Sequence, residues 1–454
     1  MARFRLLRAA LAFGLLVMTA CSIAAADTLV SSKNHPNVLI IITDDQRPDA
    51  TLVEMPNVRR WFKKTGTEFT NTFSTTPLCC PARASLMSGL YAHNHGVTKN
   101  SEGDELPQRT TIQRVLHDMG YITGITGKFL NGWRLDRAPA HFDRWAIQRW
   151  GYNNAEFNVN GFITDQTGYS TDFVTQMSLQ FLDDYETADD RPWYLYVSPF
   201  AAHKPQDAAP QYEDSKIAPW YGNPATREKR TGDKLPYRAR RMTKQDGKAL
   251  RRRQLRTLKS VDDGVGAIFQ RLYQLGELDN TLAFFISDNG ISWGEHGLQG
   301  KRLPYTESVR IPMFMRWRNH VARGGVDRRL VTNLDVAPTI YNATRANPRY
   351  RLDGRSLLRR KWKRRLLLLE HWGRRGTRVP TWTSIRTRDW QYVEYETTRG
   401  RVFWRDYYNL KRDRWQLRNL LGDDKRKNNP SKDRLKAVES LLARLRNCSA
   451  SRCP

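Results

Sequence analysis

Short apolar runs separated by amphipathic segments recur along most of the chain. Residues 37–42 form a run rich in branched apolar side chains, which is typical of a strand buried on both faces. Comparable runs predict further strands at residues 121–125, 193–197, 282–287 and 311–315. Residues 258–272 place apolar side chains three and four positions apart, which predicts a helix that ends near Gly276. Strands alternating with helices predict an α/β fold with a large, mainly parallel sheet sandwiched by helices.

The pattern changes near residue 352. Aromatic and polar side chains then alternate, as they do in half-exposed antiparallel strands. The predicted strands there are residues 366–370, 390–396 and 401–410, and a last helix is predicted at residues 433–445. We therefore expect a main domain over residues 35–350 and a smaller C-terminal antiparallel-sheet subdomain over residues 351–454.

The N-terminus carries a targeting pattern. Three arginines within the first eight residues precede an uncharged stretch, residues 9–26, that ends in small side chains. This is typical of a secretory signal peptide, so residues 1–26 are expected to be removed by cleavage after Ala26. An imperfect lipobox leaves open a lipid anchor on Cys21. No other stretch is long and apolar enough to span a bilayer, and we expect a secreted, extracellular protein.

The chain is strongly basic. It has 75 Lys and Arg against 46 Asp and Glu, a formal charge of +29. Such an excess fits a polyanionic partner, namely nucleic acid, anionic lipid or acidic polysaccharide, or else a genome that favours arginine. Residues 227–259 alone hold fourteen basic side chains. They are either a polyanion-binding surface or a solvated insertion before the helix of residues 258–272.

Polar side chains cluster where predicted strands end. The end of the first strand is followed by two aspartates, and the residues that share this placement are Asp44, Asp45, His203, Asp288 and Asn289. In parallel sheets the ligand site lies at the carboxyl ends of the strands, so these side chains are expected to group together.

The cysteines divide into two pairs in the mature chain. Cys448 and Cys453 close the C-terminus and would form a small disulfide loop in an oxidising compartment. Cys79 and Cys80 are adjacent, and a disulfide between neighbours is strained and rare. Another role is needed for them.

Residues 79–89 read Cys-Cys-Pro-Ala-Arg-Ala-Ser-Leu-Met-Ser-Gly. This C-x-P-x-R segment with its downstream glycine resembles the signature of the formylglycine-dependent, type I sulfatases. The chain is most similar to the subgroup of N-acetylglucosamine-6-sulfatases and extracellular heparan endosulfatases. Further matching segments, in order, are residues 43–46, 91–97, 127–131, 287–290, 294–297, 300–301, 310–312 and 334–339. The resemblance implies an alkaline-phosphatase-like fold.

The resemblance also implies a chemistry for Cys79. A formylglycine-generating enzyme would oxidise it to formylglycine, with Pro81 and Arg83 needed for that modification. The aldehyde hydrates to a diol, one hydroxyl attacks sulfur, and the second allows sulfate to be expelled. Arg83 would hydrogen-bond the diol. Ala82 stands where the family usually has serine, at the expense of one local hydrogen bond.

A hard cation belongs beside this nucleophile. Three carboxylates and one amide, on Asp44, Asp45, Asp288 and Asn289, favour calcium or magnesium and disfavour zinc. The resemblance selects one calcium ion, which the modified Cys79 would also contact. The alternative is that these residues are ordinary turn and capping residues.

Cationic side chains are expected to hold the sulfate. Lys128, His203 and Lys301 match family positions in this sequence. Lys128 would contact the diol and the sulfate, and Lys301 the sulfate and the leaving oxygen. His203 is the candidate general acid for the departing alcohol. His296 is either a substrate ligand or a support behind the ligands.

One position departs from the family pattern. Many sulfatases have a histidine two residues after the lysine that corresponds to Lys128, whereas Leu130 stands there in this chain. The base that releases sulfate is therefore open. His93 and His95 are substitutes close in sequence, and the alternative for each is a packed or capping histidine.

The sequence therefore predicts a secreted, calcium-dependent sulfatase that acts on a sulfated sugar. Residues 153–161 resemble a loop of the glucosamine-6-sulfatase subgroup, which points to N-acetylglucosamine-6-sulfate units. The closest alternative is a phosphodiester or phosphonate monoester hydrolase of the same superfamily. A catalytically inactive, basic glycan-binding protein is the third interpretation. No nucleic-acid-binding motif is present.

Overall fold

A computed structural model describes residues 35–48, 50–188, 191–235, 241–359, 361–374 and 378–454. Its strands, in chain order, are β1 Asn37–Thr43, β2 Thr67–Phe69, β3 Thr72–Phe73, β4 Ile122–Gly127, β5 Arg144–Gln148, β6 Glu156–Val159, β7 Phe162–Asp165, β8 Trp193–Ser198, β9 Thr281–Ser287, β10 Ser292–Trp293, β11 Gln299–Gly300, β12 Met313–Arg316, β13 Gly325–Asp327, β14 Val331–Thr332, β15 Leu367–His371, β16 Thr381–Arg386, β17 Trp390–Glu396 and β18 Val402–Asn409. The α-helices are α1 Pro56–Val58, α2 Cys79–Ser88, α3 Ala92–His95, α4 Ile112–Asp118, α5 Ser170–Ala188, α6 Lys244–Gln274, α7 Thr306–Val309, α8 Val336–Thr344 and α9 Lys432–Leu445. The predicted signal peptide and Cys21 lie outside the described residues.

A ten-stranded sheet forms the centre of the molecule, in the order β13-β2-β12-β9-β1-β8-β4-β5-β6-β7. Its middle strands, β9, β1, β8, β4 and β5, are all parallel. The outer strands add antiparallel pairs, as β6 and β7 do through a two-residue turn at Asn160 and Gly161. The predicted α/β sandwich is confirmed, and antiparallel pairs make the sheet mixed towards both edges.

Strand β1 shows why the sheet needs covering on both faces. Its seven residues are all buried. Val38, Ile40 and Ile42 pack into the core on one face, and Leu39 and Ile41 pack into the core on the other. The alternation follows from the two-residue period of a strand.

Helix α6 covers one face and is longer than predicted. It begins after Thr243, which forms a capping box with Asp246, and it runs for 31 residues. Gly276 follows it with a φ of 81°, a left-handed conformation that suits glycine. Among the described residues, no helix combines the length and apolar character that a membrane span needs.

The C-terminal region forms a separate four-stranded antiparallel sheet in the order β15-β16-β17-β18. Three of these strands match the prediction, whereas β16 was missed. The predicted disulfide between Cys448 and Cys453 is present and follows α9.

Candidate active site

Cys79 is the first residue of α2, a helix whose ten residues are all buried. The spacing of four residues places Cys79 and Arg83 on the same side of this helix. Pro81 lies in the first turn, where its missing N–H removes no helical hydrogen bond. The positive end of the helix dipole therefore lies at Cys79 and favours an anion there.

Two acidic pairs meet at this helix end because their strands are neighbours. Asp44 and Asp45 follow β1, and Asp288 and Asn289 follow β9, which pairs with β1 in parallel up to Thr43 and Ser287. Carboxylate oxygens of the three aspartates and the Cys79 Sγ all lie within 4.8 Å of one another. The Asp45 amide donates to Asp288 Oδ1 at 3.2 Å, which ties the two strand ends together.

Arg83 crosslinks this cluster from beneath. Its guanidinium is fully buried and donates to Asp288 Oδ2 at 2.9 Å and to Asp44 Oδ2 at 3.4 Å. It also donates to the Lys128 carbonyl at 3.0 Å and to the hydroxyl of Ser198, at the end of β8, at 2.5 Å. A buried cation with this many acceptors fixes the position of each strand end.

Two lysines complete the cationic side of the cluster. Lys128 donates to Asp44 Oδ2, and Lys301 donates to Asp45 Oδ1. Lys301 Nζ also lies 2.6 Å from Cys79 Sγ. Burial alone would lower the pKa of each lysine, but Asp44 raises the pKa of Lys128, and Asp45 together with Asp44 raises the pKa of Lys301 above the usual range. Both lysines remain charged.

His203 lies on the other side of Asp44. Ligand atoms of His203, Asp44 and Cys79 lie within 4.8 Å of one another. Its Nδ1 lies 2.8 Å from the Lys204 carbonyl, which can only accept, so Nδ1 carries the proton and Nε2 is the other titrating nitrogen. Burial lowers the pKa of this imidazole; Asp44 and Asp45 act to raise the pKa, and Lys301 and Lys128 act to lower it.

Burial and charge leave the Cys79 thiol unreactive as it stands. Burial raises its pKa to about 12, and the charge of Asp44 adds to that rise. The pKa of Asp44 itself lies well below its usual range, because Lys128 and other nearby cations outweigh the effect of burial. A plain thiol here is protonated at neutral pH and is a weak nucleophile.

The donor set fits a hard divalent cation. Asp44, Asp45 and Asp288 offer carboxylate oxygens, and the Asn289 Oδ1 lies 3.5 Å from Lys301 Nζ on the same side of the cluster. Oxygen donors of this kind suit calcium or magnesium, and the three aspartates and Asn289 outnumber the one imidazole and one thiol, His203 and Cys79, that zinc would prefer.

The structure places His93 and His95 in other networks. His93 contacts Glu370 Oε2 and the Cys448 carbonyl, both at 2.8 Å. His95 contacts the Ser85 hydroxyl at 3.0 Å and accepts from the Val97 amide at 3.1 Å. Both nitrogens of each ring are thus engaged away from the acidic cluster, so neither histidine is supported as the base that releases sulfate.

His296 is also outside the cluster. Its Nδ1 lies 2.6 Å from Glu228 Oε2, and its ring packs 4.1 Å from that of Tyr305. Glu228 in turn binds Lys234. These contacts favour a supporting role for His296 over direct substrate contact. Leu130, at the departing position, is buried in apolar core and supplies no titrating group.

Three residues at the site were not predicted as site residues from the sequence. Gln254 of α6 donates to the carbonyls of Asp45 and Ala202, and Ser198 accepts from Arg83 as above. The ring of Trp150 is 52% exposed and lies 5.5 Å from that of His203. They come from separate elements, so only the fold reveals that they share one site.

The basic stretch of residues 227–259 is only partly a surface. Lys234 is buried in ion pairs with Glu228 and Asp233. Arg251 is buried in α6 and donates to the Ala218 carbonyl at 2.7 Å. Part of this stretch therefore supports the fold, and two of its arginines lie outside the described residues.

Comparisons with known proteins agree with this geometry. Residues 36–346 match the model of the Sulfatase family, and residues 294–442 match the model described as N-sulphoglucosamine sulphohydrolase, C-terminal. The chain is 31% identical over 371 residues to an extracellular sulfatase SULF-1 homolog of Drosophila melanogaster, covering 76% of this chain and 33% of that protein. It is 30% identical over 363 residues to the human N-acetylglucosamine-6-sulfatase, covering 73% and 65%. The chain thus spans between a third and two thirds of the length of these relatives.

A solved structure shares the fold at low identity. It is titled as a complex with "its substrate D-Glucosamine-2-N, 6-O-disulfate" and superimposes with a TM-score of 0.80 at 22% identity. The superposition covers 90% of this chain and 97% of that one. The fold of most of the chain therefore has a precedent among solved structures.

Proposed function

The chain belongs to the sulfatase family, and on that premise we propose that it hydrolyses a sulfate ester on a glucosamine-type sugar. The observation that carries the proposal is a single buried cluster that unites the Cys79 position with three carboxylates and three cations. Such a cluster suits an anionic substrate whose reaction develops further negative charge.

Each cation has a distinct part in this proposal. Arg83 holds the two strand ends and Cys79 in register and stays charged, because Asp288 and Asp44 offset the cost of its burial. Lys128 and Lys301 bind sulfate oxygens on either side of the Cys79 position. His203 would act as an imidazolium, in which Nδ1–H stays on the Lys204 carbonyl and the proton on Nε2 passes to the departing alcohol oxygen. Trp150 offers a half-exposed aromatic face to the sugar ring beside His203.

Two groups beyond the unmodified chain belong to the proposal. Asp44, Asp45, Asp288 and Asn289 would hold a calcium ion, which when bound neutralises charge on the sulfate and the nucleophile. Cys79 would be converted to formylglycine by a formylglycine-generating enzyme, and the hydrated aldehyde would supply the nucleophile that the buried, protonated thiol does not. We also propose secretion, in line with the extracellular designation of the Drosophila relative.

Parallel assays test the function. The purified protein is offered glucosamine 6-sulfate, an aryl sulfate, a phosphate diester and a phosphonate monoester, each with and without a chelator. We expect turnover of the sulfated sugar, a loss of at least about a hundredfold on chelation, and recovery with calcium. Faster turnover of the phosphonate or the diester would replace the proposal with the related hydrolase. Binding without turnover of any ester would leave only a glycan-binding protein.

A further inference from the structure

A second charged region lies on the far side of the molecule from the active site. Residues 345–365 contain ten basic residues and one acidic residue. Two cavities of about 570 and 980 Å³ flank this segment and share Arg345. Seven cationic side chains line the two cavities, and one of them, Arg114, is paired with Asp118 of the same cavity. We call the region the basic groove and define it by the other six cations, Arg109, Arg345, Arg349, Arg355, Arg359 and Lys361.

The charges of the basic groove are not neutralised internally. Among the described residues, none of its six cations forms an ion pair with a carboxylate, whereas neighbouring Arg364 is buried against Asp335. The acidic Asp353 is turned inward, where it accepts hydrogen bonds from the amides of Tyr91 and Ala450. Burial lowers the pKa of Arg355, and the charge of Arg364 lowers it further. Asp118, which lines the smaller cavity, is paired with Arg114, so among the described residues no carboxylate neutralises the six cations of the basic groove.

The basic groove is remote from the catalytic cluster. His35, two residues before β1, contacts the Thr344 carbonyl at the end of α8, so Arg345 lies near the amino end of β1. Asp44 follows the carboxyl end of that strand, about 20 Å away at 3.3 Å per residue. Likewise, Gly89 at the far end of α2 accepts a hydrogen bond from Asp353, about 15 Å along the helix from Cys79. One sulfate cannot occupy both places.

The floor of the basic groove is partly apolar. Trp362, Tyr341, Leu352 and Pro338 line the larger cavity together with the cations. The Trp362 ring has the guanidinium of Arg355 5.8 Å from its centroid. Pyranose rings present apolar C–H faces between their anionic substituents, so a groove that combines aromatic floor with cationic rim suits them. A flat anionic membrane would not need such a concave floor.

We propose that the basic groove is a second binding site, one that holds a stretch of a linear sulfated polysaccharide away from the catalytic cluster. When one part of a polysaccharide occupies the groove, the effective concentration of its other parts rises at the active site. The active site can be that of the same protein molecule or of a neighbouring one. The proposal rests on the proposed function only for the choice of polyanion.

Three exposed arginines give the test. The groove variant is Arg345→Gln/Arg349→Gln/Arg359→Gln. The matched control, Arg399→Gln/Arg401→Gln/Arg412→Gln, removes the same charge from exposed positions around β18. Affinity for a heparin dodecasaccharide is measured over a range of salt concentrations, alongside turnover of glucosamine 6-sulfate. We expect about tenfold weaker heparin binding and a shallower salt dependence for the groove variant, with turnover of the small substrate unchanged.

The outcomes separate this proposal from the catalytic one. If heparin binding weakens equally in both variants, or weakens in neither variant, the proposal that the basic groove binds a polysaccharide is overturned. Duplex DNA and phosphatidylserine vesicles are run in parallel, and a larger loss on either than on heparin would assign the groove to that other partner and overturn the proposal. If wild type shows no sulfatase activity but the groove variant still loses heparin affinity, the groove stands and the proposed function fails.

Discussion

At the carboxyl edge of the sheet, Arg83, Lys128 and Lys301 are held against carboxylates. At the amino edge, five of the six cations of the basic groove are exposed, Arg355 is half-buried, and none has such a partner among the described residues. The first arrangement is expensive to break, because removal of one partner of a buried pair costs about 3–5 kcal/mol. Each exposed charge in the second contributes about 0–1 kcal/mol. Ion pairs that are buried therefore hold the catalytic side chains in fixed positions. Unpaired charges at the surface instead attract an anionic ligand without fixing its position.

The largest effect is expected at the Cys79 position. Cys79→Ala removes the proposed nucleophile and should lower turnover by more than about a thousandfold while leaving heparin affinity unchanged. The matched control is Cys80→Ser, which alters the neighbouring buried side chain, whose thiol contacts the Asn131 carbonyl. Turnover is measured by steady-state kinetics. More than a tenth of wild-type turnover in Cys79→Ala would contradict the assignment of catalysis to the buried cluster.

A smaller effect is expected at His203, and it should depend on the leaving group. His203→Ala should slow hydrolysis of glucosamine 6-sulfate by about a hundredfold, because a sugar alkoxide leaves poorly without a proton. A nitrophenyl sulfate, whose leaving group needs no proton, should slow by less than about tenfold. Equal losses on both substrates, in kcat, would remove the general-acid role.

His93 belongs to neither region and should affect stability and not chemistry. Both its nitrogens face acceptors, Glu370 and the Cys448 carbonyl, so the folded state favours the imidazolium. Burial alone would lower the pKa of His93, but Glu370 raises it, with smaller help from the Cys448 carbonyl and Asp353. The stabilisation is therefore fully present below the unfolded pKa of about 6.5 and is lost as pH rises through the folded value.

Urea unfolding measures this contribution. His93→Gln should reduce the free energy of unfolding by about 1 kcal/mol at acidic pH, with a smaller difference at alkaline pH. Exposed His320→Gln serves as the control and should show no such trend. A difference that grows with pH would contradict the assignment.

The smallest effect is expected on α6. Arg252 and Arg253 are the exposed arginines beside buried Arg251. Arg252→Gln/Arg253→Gln should weaken heparin binding by only about twofold, against about tenfold for the groove variant. The measurement is heparin binding over a range of salt concentrations. A larger loss of affinity in the α6 variant than in the groove variant would show that the polyanion-binding surface lies within residues 227–259.

The strands beside the active site were predictable because burial on both faces leaves a continuous apolar run, as in β1 and β9. Strand β16 was missed because only Trp382 and Ile385 are large and apolar, and they do not alternate. The start of α6 was missed although Thr243 and Asp246 form a capping pair, since the arginines that follow obscure the buried stripe.

Some residues of the candidate site were likewise predictable from the sequence and others were not. Cys79, Arg83 and the strand-end aspartates were predicted because they stand in ordered motifs, and the structure brings them together. Gln254 and Trp150 stand in no motif and reach the site only through the packing of α6 and the loop after β5. His93 lies close to Cys79 in sequence, but α3 directs it to Glu370.

The most direct test is the mass of the tryptic peptide that contains Cys79, taken from native protein with measured sulfatase turnover. The account predicts an aldehyde in place of the thiol, in a fraction that rises in step with turnover across preparations. Full turnover by protein that carries only the unmodified cysteine would contradict it.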